Sequence, residues 1–123
     1  YETPETPNVM AIYVLGKVAE DLNKIGIDHV RKDTDKKASM LYDFAKKSDQ
    51  FDIFVENESH RSATVVVLNC KDLAGELISR LKEETGMVVG AGYGKMKETQ
   101  IRIANFPAVD VSQVEALIGH LKK

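Results

Sequence analysis

The chain has 123 residues, of which 43% are hydrophobic and 29% are charged, and its formal net charge is −2. These values are typical of one folded domain and exclude a disordered chain, and the nearly balanced charge gives no electrostatic basis for binding nucleic acid or an anionic membrane. No apolar run approaches the roughly 20 residues that span a bilayer. The single cysteine, Cys70, excludes an internal disulfide. Together with an opening that lacks a signal-peptide pattern, it predicts a cytoplasmic protein.

The first predicted element is a helix from Pro7 to about Ile25, which Gly26 ends. Apolar residues at helical spacing predict it, namely Ala11, Leu15, Val18, Leu22 and Ile25. Residues 9–15 are apolar on every face of this helix, so we expect them to pack on protein outside this chain, either a further domain or a second subunit. Because the sequence does not open on methionine, we also expect it to be part of a longer chain.

A second helix and a β-hairpin are predicted next. The charged residues 29–37 indicate a connection or a short helical turn, and the helix follows with an apolar face that ends near Ser48: Ala38, Leu41, Tyr42 and Ala45. Alternating apolar residues predict a half-buried strand over 51–55, and the apolar run 63–68 predicts a central strand. The turn between them carries His60 and Arg61, for which we expect a solvated role.

The second half of the chain predicts a helix, two strands and a last helix. The third helix begins at about Leu73 and ends at a left-handed cap on Gly86. Strands are predicted at 87–89 and 100–104, and the last helix is expected to begin with a capping box made by Ser112 and Glu115. The order of the elements predicts an α+β fold in which helices pack on one side of a small, mainly antiparallel sheet.

The glycine-rich segment Gly90–Gly94 raises the question of a phosphate-binding loop. A dinucleotide-binding loop needs its glycines between a strand and the amino terminus of a helix, whose amides hold the pyrophosphate. Here the glycines lead into a strand, which argues against that function. Two interpretations remain open: a tight turn with close backbone approach, or a mobile loop beside a ligand.

Arg102 is the charged residue of the strand 100–104, on the face opposite Ile101 and Ile103. Such an arginine is commonly only solvated, yet its planar fork also suits bidentate binding of a carboxylate. His29 and His120 lack further ligands at metal spacing, so no metal site is predicted. Cys70 lies in an apolar run and is interpreted as a core residue.

Several motifs taken in order resemble one enzyme family. They are Thr6-Pro7 before an apolar helix, Gly86-Met87-Val88-Val89, Gln100-Ile101-Arg102-Ile103 and Val114-Glu115-Ala116-Leu117. Together they resemble the carboxy-terminal small domain of class V (fold type I) pyridoxal-phosphate aminotransferases, and within them the phosphoserine aminotransferase group. The resemblance extends from Thr3 to Leu121. It implies a leading segment and linking helix over 1–25, an α+β core over 26–123, and a large cofactor-binding domain before Tyr1.

The resemblance also implies roles for three residues. Arg102 matches the arginine that binds the substrate α-carboxylate, and Thr6 matches a threonine that hydrogen-bonds the cofactor phosphate held by the other subunit. Lys95 stands where phosphoserine aminotransferases have the histidine of a Gly-His-Arg motif that holds the distal group of the substrate. The sequence here is Gly94-Lys95-Met96, and Glu5 replaces the usual asparagine before the threonine.

The function that the resemblance implies is transfer of an amino group between an amino acid and a 2-oxo acid, with pyridoxal 5′-phosphate as cofactor and a homodimer as the assembly. Phosphoserine and glutamate are the candidate amino acids, which would connect the enzyme with serine biosynthesis. The lysine that anchors the cofactor would lie before Tyr1, so the chain alone is expected to be inactive. The residues leave two alternatives open: a stand-alone α+β module that binds a small molecule or has a regulatory role, and an interaction domain that binds no ligand.

Overall fold

The computed structural model describes residues 5–122. It divides into two compact units, residues 5–32 and residues 33–122. The elements follow the predicted order of two helices, two strands, a helix, two strands and a helix, with short 3-10 turns between some of them. None of the helices within residues 5–122 is long and apolar enough to cross a membrane.

The first unit consists mainly of helix α1, Val9–Ile25. The Asn8 side chain caps it by accepting a 3.0 Å hydrogen bond from the amide of Ala11, which satisfies one of the amides that a helix start leaves without a partner. Gly26 ends it at φ 92°, a conformation that favours glycine. The helix contains no buried residue, and Met10 is 71% exposed. We predicted that this apolar surface packs on protein outside the chain, and this stays a prediction.

Helix α2 spans Ile27–Lys46, so the interpretation of 29–37 as a connection was wrong. That segment is charged because most of its side chains face solvent, while Thr34 and Lys37 are buried. Lys37 follows Asp33 by four positions, the spacing that brings side chains together on one helix face. Their charged groups lie 3.1 Å apart. The predicted apolar face of this helix is confirmed, since Leu41 and Ala45 are in the core.

The sheet has four strands in the order β1-β2-β4-β3, and every pairing is antiparallel. The strands are β1 Asp52–Ile53, β2 Val65–Asn69, β3 Gly90–Ala91 and β4 Gln100–Ala104. Strand β2 is central, as predicted. The strand predicted at 87–89 was misplaced: the pairing residues are the glycine and alanine that follow, and Val88 is 73% exposed.

Helices α3, Ala74–Thr85, and α4, Val111–Leu121, complete the second unit. The cap of α3 at Gly86 is left-handed, as predicted. The cap of α4 was assigned to the wrong residues, because Asp110 is the N-cap and forms the capping box with Gln113. The core residues come from α2, the sheet, α3 and α4, with representatives from each: Leu41, Phe44, Val66, Leu68, Leu77, Leu81, Ile101, Ile103, Val114, Leu117 and Leu121.

Arg61 has a structural role that the sequence did not predict. It follows a 3-10 turn at Glu58–His60, and its Nε and Nη2 donate hydrogen bonds of 2.9 Å to the carbonyls of Val55 and Glu56. Its guanidinium carbon also lies 5.4 Å from the centroid of the Tyr42 ring. The expectation that it is solvated was therefore wrong: it fixes the connection between β1 and β2.

Candidate substrate-carboxylate site

Arg102 lies at the middle of β4, on the sheet face opposite the core. In the ladder it stands across from Val67 of β2 and from Gly90 of β3. Its neighbours Ile101 and Ile103 are buried, whereas Arg102 itself is half-buried. The alternation of a strand therefore directs the guanidinium away from the core, at a position that neighbouring strands fix on both sides.

Two contacts hold the Arg102 side chain. Its Nε donates a 2.7 Å hydrogen bond to the carbonyl of Ala91, and its guanidinium carbon lies over the Tyr93 ring, 3.9 Å from the ring centroid. Gly90 leaves room for the guanidinium, since a Cβ atom added there would lie 3.1 Å from Nη2. The side chain is thus held by β3 and by the residues that directly follow it.

The outer edge of the guanidinium remains available to a ligand. Within residues 5–122, neither Nη nitrogen of Arg102 has a hydrogen-bond partner, and no carboxylate forms an ion pair with it. Parallel N–H groups on a planar cation match the two oxygens of a carboxylate or of a phosphate. The arrangement can therefore bind an anionic group of either kind.

The glycine segment forms a closed turn between β3 and β4. The amide of Gly92 donates a 2.8 Å hydrogen bond to the carbonyl of Gln100, and further bonds link Met96 to Tyr93 and Thr99 to Met96. A Cβ on Gly92 would lie 2.3 Å from the carbonyl oxygen of Met96, so only glycine fits. Of the two interpretations left open by the sequence, the tight turn with close backbone approach is confirmed.

We expect Gly92→Ala to destabilise the folded chain by about 1–3 kcal/mol, because the added methyl group must displace backbone rather than a flexible side chain. Gly119→Ala is the matched control: a Cβ on this α4 glycine meets nothing within 4 Å, so helix propensity should make that variant slightly more stable. Urea denaturation of the two variants beside the wild type makes the comparison. A Gly92→Ala variant as stable as wild type would contradict this account of the turn.

Lys95 lies in the short 3-10 turn Gly94–Met96, two residues beyond the tyrosine that covers Arg102. It is exposed and forms no ion pair within residues 5–122. The structure therefore leaves its charge free beside the arginine strand. A role in binding the distal group of a substrate stays a prediction.

Thr6 belongs to the other unit. It is exposed and lies two residues before the N-cap of α1, whose first turn contains no acidic residue. Backbone amides at a helix start favour anions, and the Thr6 hydroxyl can donate a hydrogen bond. Glu5 is exposed beside it and opposes an anion there.

The remaining candidates from the sequence do not form a reactive site. Cys70 is buried, and that burial raises the pKa of its thiol above its usual value, which disfavours the nucleophilic thiolate. His29 and His60 are exposed, and His120 has its Nδ1 3.5 Å from a carboxylate oxygen of Glu84. No group of three or more metal-binding side chains occurs within residues 5–122.

Tyr93 and Gly90 were missed as partners of Arg102. A usable signal was present in the sequence, since a hairpin centred on the glycine turn brings one residue of the preceding strand directly opposite the arginine. With that strand assigned to 87–89, the register could not identify Gly90. The position of the Tyr93 ring depends on how the turn folds, which residue spacing does not specify.

Comparison with known proteins agrees with this fold. The family model described as "Aminotransferase class-V" matches residues 3–112. The chain belongs to the class V aminotransferase family. The particular relatives include a phosphoserine aminotransferase from Rhodococcus opacus, which is 30% identical over 118 residues, covering 94% of this chain and 32% of the relative.

Solved structures extend the comparison. A phosphoserine aminotransferase from Cytophaga hutchinsonii is 47% identical and superposes with a TM-score of 0.90, over 98% of this chain and 33% of that protein. An alanine–glyoxylate aminotransferase from Nostoc shares the fold at a TM-score of 0.76 and 18% identity, over 98% of this chain and 32% of its own. The chain thus spans about a third of the length of these relatives. Its fold is that of the aminotransferase small domain, as the sequence predicted.

Proposed function

We propose that this chain is the small domain of a pyridoxal-phosphate-dependent aminotransferase that moves an amino group between an amino acid and a 2-oxo acid. The observation that carries the proposal is the Arg102 guanidinium of a class V family chain: its Nε is bound to a carbonyl, and neither Nη nitrogen has a hydrogen-bond partner within the described residues 5–122. Amino acids and 2-oxo acids share a carboxylate beside the reacting carbon. Arg102 would bind that carboxylate and so orient both substrates alike.

Pyridoxal phosphate would supply the electron sink that amino-group transfer needs. The phosphate is the part of this cofactor that residues of this chain could bind. Thr6 can donate its hydroxyl to a phosphate oxygen, at a helix start that carries no acidic residue in its first turn. In the proposed homodimer this contact reaches the cofactor of the other subunit. The covalent anchor belongs to the large domain, residues 26–123 form the core of the small domain, and residues 1–25 link the two.

Lys95 is the proposed contact for the distal anionic group of the amino acid. It is exposed and free of ion pairs within residues 5–122, and a flexible ammonium attracts a phosphate or a carboxylate without demanding one geometry. The printed names of relatives such as the phosphoserine aminotransferases favour phosphoserine, which would connect the enzyme with serine biosynthesis in the cytoplasm. A stand-alone regulatory module is not favoured, because the match to the family extends over most of the chain.

The direct test is a transamination assay on the full-length protein that contains this chain. With pyridoxal phosphate present, we expect turnover from at least one of L-phosphoserine, L-glutamate and L-alanine to a 2-oxo acid. The 123-residue chain assayed alone should show none, because the cofactor lysine lies elsewhere. A folded full-length protein without activity on this panel would contradict the proposed function. Turnover by the 123-residue chain alone would contradict the proposal that the cofactor lysine lies in a separate large domain.

A further inference from the structure

Tyr93 is unusual among the large side chains of the second unit because it is 75% exposed and yet makes one close, oriented contact. Its ring has the guanidinium carbon of Arg102 over it, 3.9 Å from the centroid. A ring so exposed contributes little to the core. Its position therefore calls for an explanation other than packing.

Gly90 provides a second observation on the same guanidinium. A Cβ at this position would lie 3.1 Å from Nη2 and 3.5 Å from both Nε and the guanidinium carbon of Arg102. Distances of 3.0–3.4 Å are tighter than nine in ten contacts that real Cβ atoms make, so a side chain here would require the guanidinium to shift by a few tenths of an ångström. The Ala91 carbonyl fixes the Nε side of the same group through its 2.7 Å hydrogen bond.

We propose that Tyr93 and Gly90 are positioning residues that hold Arg102 in the orientation in which it binds the substrate carboxylate, an inference that rests on the proposed function. Arginine has many rotamers, and fixing them on binding costs free energy. Stacking on an aromatic face restricts the guanidinium plane but leaves the N–H groups at its edge free for hydrogen bonds. With Nε bound to a carbonyl, Nη1 and Nη2 are the donors that meet the carboxylate.

This role predicts a particular kinetic pattern. Removing the ring leaves Arg102 present and charged but less ordered, so binding of both carboxylate substrates weakens while the chemistry that follows binding is preserved. We expect Tyr93→Ala to raise KM for the amino acid and for the 2-oxo acid by about three- to tenfold, with kcat changed less than about twofold. Tyr93→Phe keeps the ring and should restore KM to near the wild-type value.

The experiment uses the full-length protein with pyridoxal phosphate and whichever donor the wild type accepts from L-phosphoserine, L-glutamate and L-alanine. Steady-state kinetics are measured for Tyr93→Ala, Tyr93→Phe, Gly90→Ala and Arg102→Lys, together with the thermal midpoint of each. Gly90→Ala is expected to raise KM as Tyr93→Ala does. Because Tyr93 is mostly exposed, its loss should leave the thermal midpoint nearly unchanged, which separates a positioning role from general destabilisation.

The outcomes distinguish this inference from the proposed function. If Arg102→Lys raises KM and Tyr93→Ala does not, the positioning role is wrong and the proposed function stands. If neither variant changes KM, Arg102 lies outside the substrate site, so the positioning role and the proposed carboxylate contact of Arg102 both fail, while the measured turnover still supports an aminotransferase. The proposed function itself fails only if the folded full-length protein shows no turnover on this panel. A Tyr93→Ala effect that Tyr93→Phe shares equally would assign the effect to the hydroxyl and overturn the stacking explanation.

Discussion

Arg102→Lys in the full-length protein should lower kcat/KM for amino-acid substrates by about 5- to 150-fold, a loss of about 1–3 kcal/mol of transition-state stabilisation, while lowering the thermal midpoint less than Arg61→Lys does. Lysine keeps the positive charge but lacks the planar guanidinium with its two parallel N–H donors, so one of the two hydrogen bonds to the carboxylate is lost. It also lacks the Nε that bonds to the Ala91 carbonyl and the planar group that stacks on Tyr93. Steady-state kinetics with both substrates measure the effect.

The matched control is Arg61→Lys, the same substitution at the structural arginine. Arg61 donates to two main-chain carbonyls and its side chain is only 13% exposed, so this variant should lose stability and keep its KM. The same substitution is therefore expected to affect mainly substrate kinetics at Arg102 and mainly stability at Arg61. Unchanged substrate kinetics in Arg102→Lys would remove Arg102 from the binding site.

The part of the site that the sequence predicted is the part that strand periodicity determines. Strand β4 was predicted with its observed bounds, because Ile101 and Ile103 alternate with a charged residue and the strand is regular. Strand β3 was misplaced because the apolar residues before it resemble a strand better than a glycine and an alanine do. Its pairing depends on the register of the turn, which is set by close backbone approaches within the turn such as that of Gly92 to Met96.

That residues 29–37 belong to one long helix, and not to a connection or a short helical turn, was missed for a related reason. Its charged residues form the solvent-facing side of α2, and a segment that is mostly solvent-facing has no apolar stripe from which to predict a helix. The Asp33–Lys37 spacing was a usable signal, because charges of opposite sign four residues apart support a helix. That Lys37 is itself buried could not be predicted, since its partners follow it by about seventy residues in sequence.

Lys37 is a buried charged residue that connects two parts of the second unit. Its side chain is fully buried, and its Nζ lies 3.1 Å from Asp33 Oδ2 and donates to the carbonyls of Phe106 and Val109. Those carbonyls belong to the segment that connects β4, the arginine strand, with α4. One ammonium therefore provides the donors for three acceptors and ties that segment to α2.

We expect Lys37→Met to lower the free energy of unfolding by about 2–4 kcal/mol, because methionine fills much of the same volume but leaves the three acceptors without their donor. The matched control is Lys36→Met, the same change at the exposed neighbour on the same helix, which should stay within about 0.5 kcal/mol of wild type. Urea denaturation of both variants measures the difference. Equal stability of the two would show that the buried ammonium contributes nothing beyond its packing.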